Sequence, residues 1–334
     1  MREVDKQNKL PVFILNGKIL PLKGKTVSCK HTDVNLITNN MKRRTFLLSA
    51  TSGCLALLLP NQASAIEGFR EKENAEYSFI HLSDPQFGMF GSFEKHHSFE
   101  KETKLMQQAV DAINRLKPQY VLVTGDLVHD RNNLAQVAEY KRLTALIDKK
   151  IPVYEVPGNH DVGNDATVED VEQYKKRFGA DRFAFSYKNT YVIGINSNLI
   201  WAGNTPLERE QAQWLQKELK KGQKYKYRIV AGHHPIYVNQ PDEKKTYENL
   251  PPEKRTEYLE LFRNNKVDIY LSGHLHFPAS NRSAGVPLCT AGAVGYPIRG
   301  KSGMNIVSVT DAGVKATFFD FGQLPQSIDK GIIL

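Results

Sequence analysis

The segment Val121-Leu122-Val123-Thr124-Gly125-Asp126 carries the pattern around which the rest of the chain is organised. Its apolar, β-branched run predicts a short buried strand, and the glycine predicts a tight turn where that strand ends. An apolar run followed at once by polar residues recurs at four other places. The polar groups that follow the five runs are Asp84-Pro85-Gln86, Gly125-Asp126, Gly158-Asn159-His160-Asp161, Gly232-His233-His234 and Gly273-His274-Leu275-His276. Because ligands of α/β proteins bind beyond the carboxyl ends of the strands, these side chains are expected to meet in one crevice.

Amphipathic helical segments alternate with short apolar runs over most of the chain. The run Phe99–Leu116 has apolar residues at helical spacing, whereas Tyr77–Leu82 is short and apolar throughout. Three runs in the last fifty residues predict antiparallel strands, namely Pro287–Ala291, Gly303–Thr310 and Val314–Phe321. This order favours an α/β fold (α+β where strands dominate the end), with two sheets packed face to face and helices outside. We expect one domain, over residues 66–334.

The residues that follow the strands offer carboxylate, amide and imidazole donors. This mixture suits divalent or trivalent first-row ions such as manganese, iron and zinc. In two-metal hydrolysis a shared carboxylate holds the ions about 3.5–4 Å apart, and both ions polarise one phosphate. The sequence therefore predicts a centre of two metal ions at the strand ends.

Five short blocks resemble the signature blocks of the calcineurin-like metallophosphoesterases. In this chain they begin at Asp84 (DxQ), Gly125 (GDxxHD), Gly158 (GNHD), Gly232 (GHHP) and Gly273 (GHLH). The resemblance implies a four-layer αββα sandwich of two mixed sheets, and hydrolysis of phosphoester bonds by a hydroxide shared between two ions. More narrowly, the first three blocks are similar to those of the calcineurin-like phosphoesterase domain-containing protein 1 subgroup, which is described as a serine/threonine phosphatase.

The same resemblance implies a role for each matching position. Asp126 would bridge the two ions, Asp84 and His276 would hold the first, and Asn159, His233 and His274 would hold the second. His160 would orient or protonate the phosphoryl group, and Asp161 would orient His160.

Four further positions are candidates of a weaker kind. The family's usual first block is DxH, and Gln86 stands here in place of the metal-binding histidine, so it either binds as a neutral ligand or does not bind. His129 occupies a position where purple acid phosphatases place a tyrosine ligand. His234 would face the substrate opening or pack beside Pro235, and Arg299 would clamp a phosphate or lie in solvent.

The amino-terminal region has the character of an export signal. After Met41, the basic residues Lys42, Arg43 and Arg44 precede an apolar run from Phe46 to Leu59, and residues 63–65 read Ala-Ser-Ala. This pattern predicts a signal peptide over residues 41–65, resembling the twin-arginine type, and export to the periplasm or cell envelope. We expect residues 1–40 to be an upstream extension that is either untranslated or disordered. The apolar run is too short to span a bilayer comfortably, so we expect no stable membrane insertion once the signal is removed.

Charge and cysteine content limit the partners of the folded part. Residues 1–65 hold ten Lys/Arg and three Asp/Glu, so the remaining 35 and 33 leave a net charge of only +2 of the total +9. We therefore expect no nucleic-acid partner. Only Cys289 of the three cysteines follows the signal, which excludes an internal disulfide in the processed chain.

The expected function is phosphomonoester hydrolysis on a phosphorylated small molecule or a phosphoprotein. An alternative is a phosphodiesterase for cyclic nucleotides or glycerophosphodiesters. An alternative of another class is a catalytically weak metal-binding or scaffold protein, which the glutamine at position 86 motivates.

Overall fold

The computed structural model describes residues 76–203, 205–283 and 285–328. The upstream extension and the predicted signal peptide lie outside the described residues. Within the described ranges the strands are β1 Tyr77–Leu82, β2 Val121–Val123, β3 Val153–Glu155, β4 Phe183–Tyr187, β5 Thr190–Gly194, β6 Tyr227–Ala231, β7 Ile269–Ser272, β8 Ala279–Ser283, β9 Val286–Thr290, β10 Gly303–Thr310 and β11 Gly313–Asp320. The helices are α1 Met89–Glu94, α2 Glu100–Leu116, α3 Leu134–Thr144, α4 Asn159–Val162, α5 Val168–Phe178, α6 Ser197–Trp201, α7 Pro206–Gly222 and α8 Pro252–Asn264.

The strands form two mixed sheets. The first has the order β11-β10-β1-β2-β3, and the second has the order β4-β5-β6-β7-β9-β8. At the centre of the first sheet β1 runs parallel to β2 and antiparallel to β10. In the second sheet β5, β6 and β7 are parallel. The expected αββα architecture, with two mixed sheets and flanking helices, is confirmed.

Side chains on the two faces of β1 enter different cores, as the alternation of a strand requires. Tyr77 and Phe79 pack between the two sheets, against residues such as Ile229 and Leu271. Ile80 and Leu82 point the other way and pack against the helices of the first sheet, including Met106. A third core lies on the outer face of the second sheet, where α7 and α8 cover β6 and β7. Central strands such as β1 and β6 are thus buried on both faces, which explains why they read as short, mostly apolar runs.

Of the three runs expected to be antiparallel at the end of the chain, β10 and β11 are confirmed, and only β9 departs in part. The strand β9 pairs in parallel with β7, and it pairs antiparallel only with β8. The intervening strand β8 reads ASNRS and lies at the edge of the sheet, so it has no apolar pattern by which it could be predicted. Because β8 lies at the edge, the chain turns back after it and β9 runs beside β7 in the parallel direction.

None of the helices in the described ranges is both long and apolar enough to cross a bilayer.

Candidate metal centre

The loops that follow β1 and β2 are joined to one another by backbone hydrogen bonds. The amide of Asp84 donates to the carbonyl of Gly125 at 3.1 Å, and the amide of Gln86 donates to the carbonyl of Asp126 at 2.9 Å. The strand β1 runs parallel to β2, so both chains turn at the same edge of the sheet. This pairing places two buried carboxylates side by side, as the sequence predicted.

Five residues of the centre have left-handed backbone conformations although none of them is glycine. Their φ angles are 52° for Asp84, 37° for Gln86, 51° for Asp126, 72° for His274 and 57° for His276. A side chain at such a φ costs energy, and this cost is accepted where a turn must aim a side chain at one point. The strain is therefore concentrated at the strand ends that carry the polar groups.

Two glycines permit close approach at the same turns. A Cβ atom on Gly158 would lie 2.1 Å from Oδ1 of Asp126. A Cβ atom on Gly273 would lie 1.6 Å from Oγ of Ser83 and 2.6 Å from Oδ2 of Asp84. No side chain fits at either place, so these two glycines allow loops from both sheets to meet around the carboxylates.

The predicted ligands fall into two groups that share one residue. The ligand atoms of Asp84, Asp126 and His276 all lie within 4.8 Å of one another, and so do those of Asp126, His233 and His274. We call these the first group and the second group. Every member of both groups is buried. The carboxylate of Asp126 stands between them, where a bridging ligand would be required.

The three histidines of these groups have a common hydrogen-bonding pattern. Nδ1 of His233 is 2.7 Å from the carbonyl oxygen of Thr124, and Nδ1 of His276 is 2.5 Å from that of Tyr296. Nε2 of His274 is 2.9 Å from the carbonyl oxygen of Tyr247. A carbonyl oxygen only accepts, so in each ring this nitrogen carries the proton. When a ring is neutral, its opposite nitrogen carries the lone pair and is the one available to a metal ion, as in metal-binding histidines.

The charges of the centre also fit cations. Asp84 and Asp126 are buried, and among the described residues their only ion-pair partners are His276 and His233, at 3.4 Å each. Burial would lower the pKa of His233, but the Asp126 carboxylate beside it raises that pKa to about 9. Burial would raise the pKa of Asp126, but His233 and His160 hold it well below its usual value. Two adjacent buried carboxylates without Lys or Arg need a positive charge, so the site fits metal ions.

Asn159 joins the second group through its side-chain oxygen. Its Oδ1 is 3.0 Å from Nε2 of His233, and its Nδ2 donates to the phenol oxygen of Tyr247 at 2.6 Å. Tyr247 is 49 % exposed, and its ring lies 4.8 Å from that of His274. The sequence analysis missed Tyr247, because it sits in a polar loop without a motif and bonds His274 through its backbone.

Gln86 and His129 both carry a buried side-chain atom without a hydrogen-bond partner in the described part of the chain. In Gln86 this atom is Oε1, and in His129 it is Nδ1. Oε1 of Gln86 is uncharged, buried near Asp84 and without a hydrogen-bond partner, so it is available as a ligand for a cation. The ring of His129 instead stacks on that of His160, with centroids 4.8 Å apart, and His129 stands outside both groups.

His160 lies at the opening of the site, but its orientation differs from the expectation. Its Nδ1 donates to the carbonyl oxygen of His129 at 2.7 Å, and its backbone amide donates to Oδ1 of Asp126 at 2.9 Å. Asp161 was expected to orient this ring, and that was wrong. The carboxylate of Asp161 turns inward and accepts from the amides of Gly158 at 2.8 Å and Leu127 at 3.0 Å, so it shapes the turn. Burial and the neighbouring Asp126 raise the pKa of Asp161 to about 7.

The two candidate substrate contacts have different surroundings. His234 is fully buried, with Nδ1 3.1 Å from Oγ of Ser197 and its ring stacked on Trp201, which agrees with the packing alternative and not with a place at the substrate opening. Ser197 draws it inward, because its hydroxyl also accepts from the amides of positions 233 and 234. Arg299 is exposed, and its guanidinium lies over the ring of Phe277, 4.7 Å from the centroid. Phe277 follows His276 in the chain, so this contact places the guanidinium near the first group.

Related proteins match most of the length of this chain. A family profile described as calcineurin-like phosphoesterase matches residues 77–278. Serine/threonine-protein phosphatase CPPED1 of Rattus norvegicus is 28% identical over 282 residues, covering 78% of this chain and 90% of that protein. The Homo sapiens protein of the same name is 29% identical over 283 residues, covering 78% and 89%. A probable glycerophosphodiester phosphodiesterase GpdQ of Arcobacter nitrofigilis is 26% identical over 148 residues, covering 40% and 50%.

Two solved structures share the architecture. A dimetal phosphatase from Danio rerio superposes with a TM-score of 0.51 at 14% identity, covering 73% of this chain and 99% of that one. The purple acid phosphatase PPD1 from yellow lupin (Lupinus luteus) gives 0.58 at 15% identity, covering 78% and 52%. At these identities the likeness concerns the fold. Since the family profile spans more than half of the chain, and includes all five blocks, the chain belongs to the calcineurin-like phosphoesterase family and is a metallophosphoesterase.

Proposed function

We propose that this protein hydrolyses phosphomonoesters with two metal ions held by Asp84, Asp126, Asn159, His233, His274 and His276. The observation that carries the proposal is the arrangement of the three ligand histidines. Each has one nitrogen bonded to a backbone carbonyl. The other nitrogen lies 3.4 Å from a buried carboxylate in His233 and His276, and within 4.8 Å of the Asp126 carboxylate in His274. Burying two carboxylates in an apolar core is unfavourable, so this arrangement would not stabilise the fold unless cations were bound.

The ions would be manganese, iron or zinc, since the donors are imidazole nitrogens and carboxylate or amide oxygens. Two bound ions supply charge neutralisation for the phosphate and activation of the attacking water. Gln86 would contribute its unpartnered Oε1 to the first group as a neutral ligand. This replaces the histidine usual in the family, so the first ion would be held less tightly than the second.

His160 would act on the substrate itself. Its Nδ1 is committed to the carbonyl of His129, and the side chain is partly buried, so Nε2 would be the atom that contacts the substrate. In its protonated form the ring donates from Nε2 to a phosphoryl or leaving-group oxygen. Arg299 at the rim would add a second contact to the substrate phosphate, at the price of its stacking on Phe277.

A monoester substrate is favoured by the relatives with the longest matches. The CPPED1 proteins are named serine/threonine-protein phosphatases and match over about nine tenths of their own length. The relative named as a glycerophosphodiester phosphodiesterase matches over 40% of this chain. A phosphorylated small molecule or a phosphoprotein would then be the substrate.

The proposal is tested by comparing p-nitrophenyl phosphate with bis-p-nitrophenyl phosphate, each with added Mn²⁺. We expect kcat/KM for the monoester to exceed that for the diester by at least tenfold. Preference for the diester would assign a phosphodiesterase, whereas absence of metal binding and of both activities would favour a scaffold protein.

We also propose that the chain is exported by a twin-arginine-type signal within residues 41–65. The support is the sequence pattern: Arg43 and Arg44 precede an apolar run that ends before Ala63-Ser64-Ala65. Changing both arginines to lysine is expected to leave the precursor inside the cell, while the wild-type chain is recovered from the envelope fraction. Equal export of both forms would rule out this route.

A further inference from the structure

We propose that Arg255 is a positioning residue for the second group of ligands, acting through the loop 238–251 and through Tyr247 at its tip. The inference rests on the proposed function, because it assumes that the second group holds a metal ion. We call residues 238–251 the site loop. Arg255 lies in α8 and touches none of the ligands itself.

Tyr247 connects the site loop to two ligands at once. Its carbonyl oxygen accepts from Nε2 of His274 at 2.9 Å, and its phenol oxygen accepts from Nδ2 of Asn159 at 2.6 Å. The first contact leaves Nδ1 of His274 as the free nitrogen, which lies 3.0 Å from Nε2 of His233. In the second contact Nδ2 of Asn159 faces the phenol, and Oδ1 of the same amide lies 3.0 Å from Nε2 of His233. Tyr247 therefore contacts the side chains of two ligands.

Arg255 binds the site loop by donating hydrogen bonds to four of its backbone carbonyls. Its Nε donates to Leu250 at 2.7 Å, and its Nη1 donates to Pro241 at 3.1 Å and also to Glu243. Its Nη2 donates to Lys244 at 3.2 Å. One planar guanidinium thus joins both ends of the loop, before and after Tyr247. A lysine could not reproduce these diverging contacts.

Side chains within the site loop complete this arrangement. The carboxylate of Glu243 accepts from the amides of Val238 at 2.7 Å and Asn239 at 2.8 Å. Asn249 donates to Glu243 at 2.6 Å and accepts from the amide of Thr246 at 2.8 Å. The residue next to Tyr247 is therefore held by the same network that Arg255 supports.

Arg255 is buried, and burial of its charge opposes folding. Its side chain is 1 % exposed, and among the described residues no carboxylate forms an ion pair with it. Burying a guanidinium without a carboxylate is unfavourable unless most of its five N–H donors are used. Four backbone carbonyls accept from Arg255, and all four belong to the one loop that reaches the ligands.

Arg228 provides a matched control in the same fold. It is also buried, and it donates to the carbonyls of Lys266 at 2.7 Å and Tyr225 at 2.9 Å. It lies near the start of β6, whereas His233 follows the end of that strand. Arg228 differs in also forming an ion pair with Asp268, at 3.3 Å. A change of Arg228 to lysine removes bonds to three carbonyls at the opposite end of the sheet.

The test is calorimetric titration of the metal-free full chain with Mn²⁺, together with a urea unfolding curve, for wild type, R255K, Y247F and R228K. We expect R255K and Y247F to weaken one of the two binding steps about 10- to 100-fold and to leave the other step within about twofold. R228K is expected to lower the urea midpoint and to leave both steps unchanged.

The proposal is overturned if R255K and R228K change Mn²⁺ binding alike, or if R255K lowers only the urea midpoint. If R255K does not fold, Y247F decides, since its ring is half-exposed; unchanged Mn²⁺ binding in Y247F then overturns the proposal. Wild-type protein that binds no Mn²⁺ would contradict the proposed function instead, and the two failures are therefore distinct.

Discussion

Nε2 of His233 lies 3.4 Å from Oδ2 of Asp126, and both side chains are fully buried. The Asp126 carboxylate overcomes the effect of burial and raises the pKa of His233 to about 9. In the metal-free protein below pH 9 a proton therefore occupies the nitrogen that would bind the ion. The pKa of His233 is thus higher in the folded protein than in the unfolded chain, where it is 6.5. Protonation of His233 therefore stabilises the folded protein fully below pH 6.5, and this stabilisation is lost as the pH rises through about 9.

The first prediction follows from this competition between proton and metal. Binding of Mn²⁺ to the metal-free chain is expected to release a proton from His233, and the affinity should rise about tenfold per pH unit between pH 6 and 8. Proton release in weak buffer, measured with an indicator dye, checks it. Affinity that is independent of pH over this range would show that His233 is not displaced.

The second prediction concerns the shared carboxylate. Because Asp126 belongs to both groups, Asp126→Asn should weaken both Mn²⁺ binding steps. It should also lower kcat/KM more than about 100-fold, since loss of a residue that only orients a ligand costs about 10- to 100-fold. Asp130→Asn is the control, since Asp130 is exposed and lies in the same sequence block. Metal analysis and steady-state kinetics distinguish the two variants. Equal behaviour of both would refute the bridging role.

The third prediction concerns the proton donor. His160→Asn should lower kcat about 10²- to 10⁴-fold while the chain still binds two ions, because the ring acts on the substrate rather than on the metals. The readout is kcat beside metal content measured on the same sample. A variant that loses metal in proportion to its activity would make this histidine a ligand instead.

The fourth prediction concerns the unusual glutamine. Gln86→Leu removes a buried oxygen that has no partner, so the metal-free protein should become more stable, by up to about 1–3 kcal/mol. The same change should weaken one Mn²⁺ binding step, because the oxygen is available to the first group. Urea unfolding and calorimetry measure these opposite effects. Mn²⁺ binding equal to that of wild type would show that Gln86 is not a ligand.

The sequence predicted the sheets and the clustering of the candidate ligands, because both depend on local patterns. Each ligand follows an apolar strand, and parallel strands bring their ends to one edge, so Asp84 and Asp126 had to be neighbours. The edge strand β8 was missed because its polar residues carry no pattern.

The contacts that orient the ligands could not be predicted in this way. His160 bonds the carbonyl of His129, and His274 bonds the carbonyl of Tyr247. Every residue has a carbonyl, so no residue type marks such a partner. The same reason explains the wrong role for Asp161, whose carboxylate binds backbone amides of its own turn and of the loop after β2. The burial of His234 depends on Ser197, which is distant in sequence.

The central claim is that two ions bind beside Asp126 and that hydrolysis requires both. The most direct measurement is a titration of the metal-free full chain with Mn²⁺ while hydrolysis of p-nitrophenyl phosphate is followed. We predict two ions bound per chain, with activity that appears only as the second site fills. Full activity with no metal, or with a single ion bound, would contradict the account.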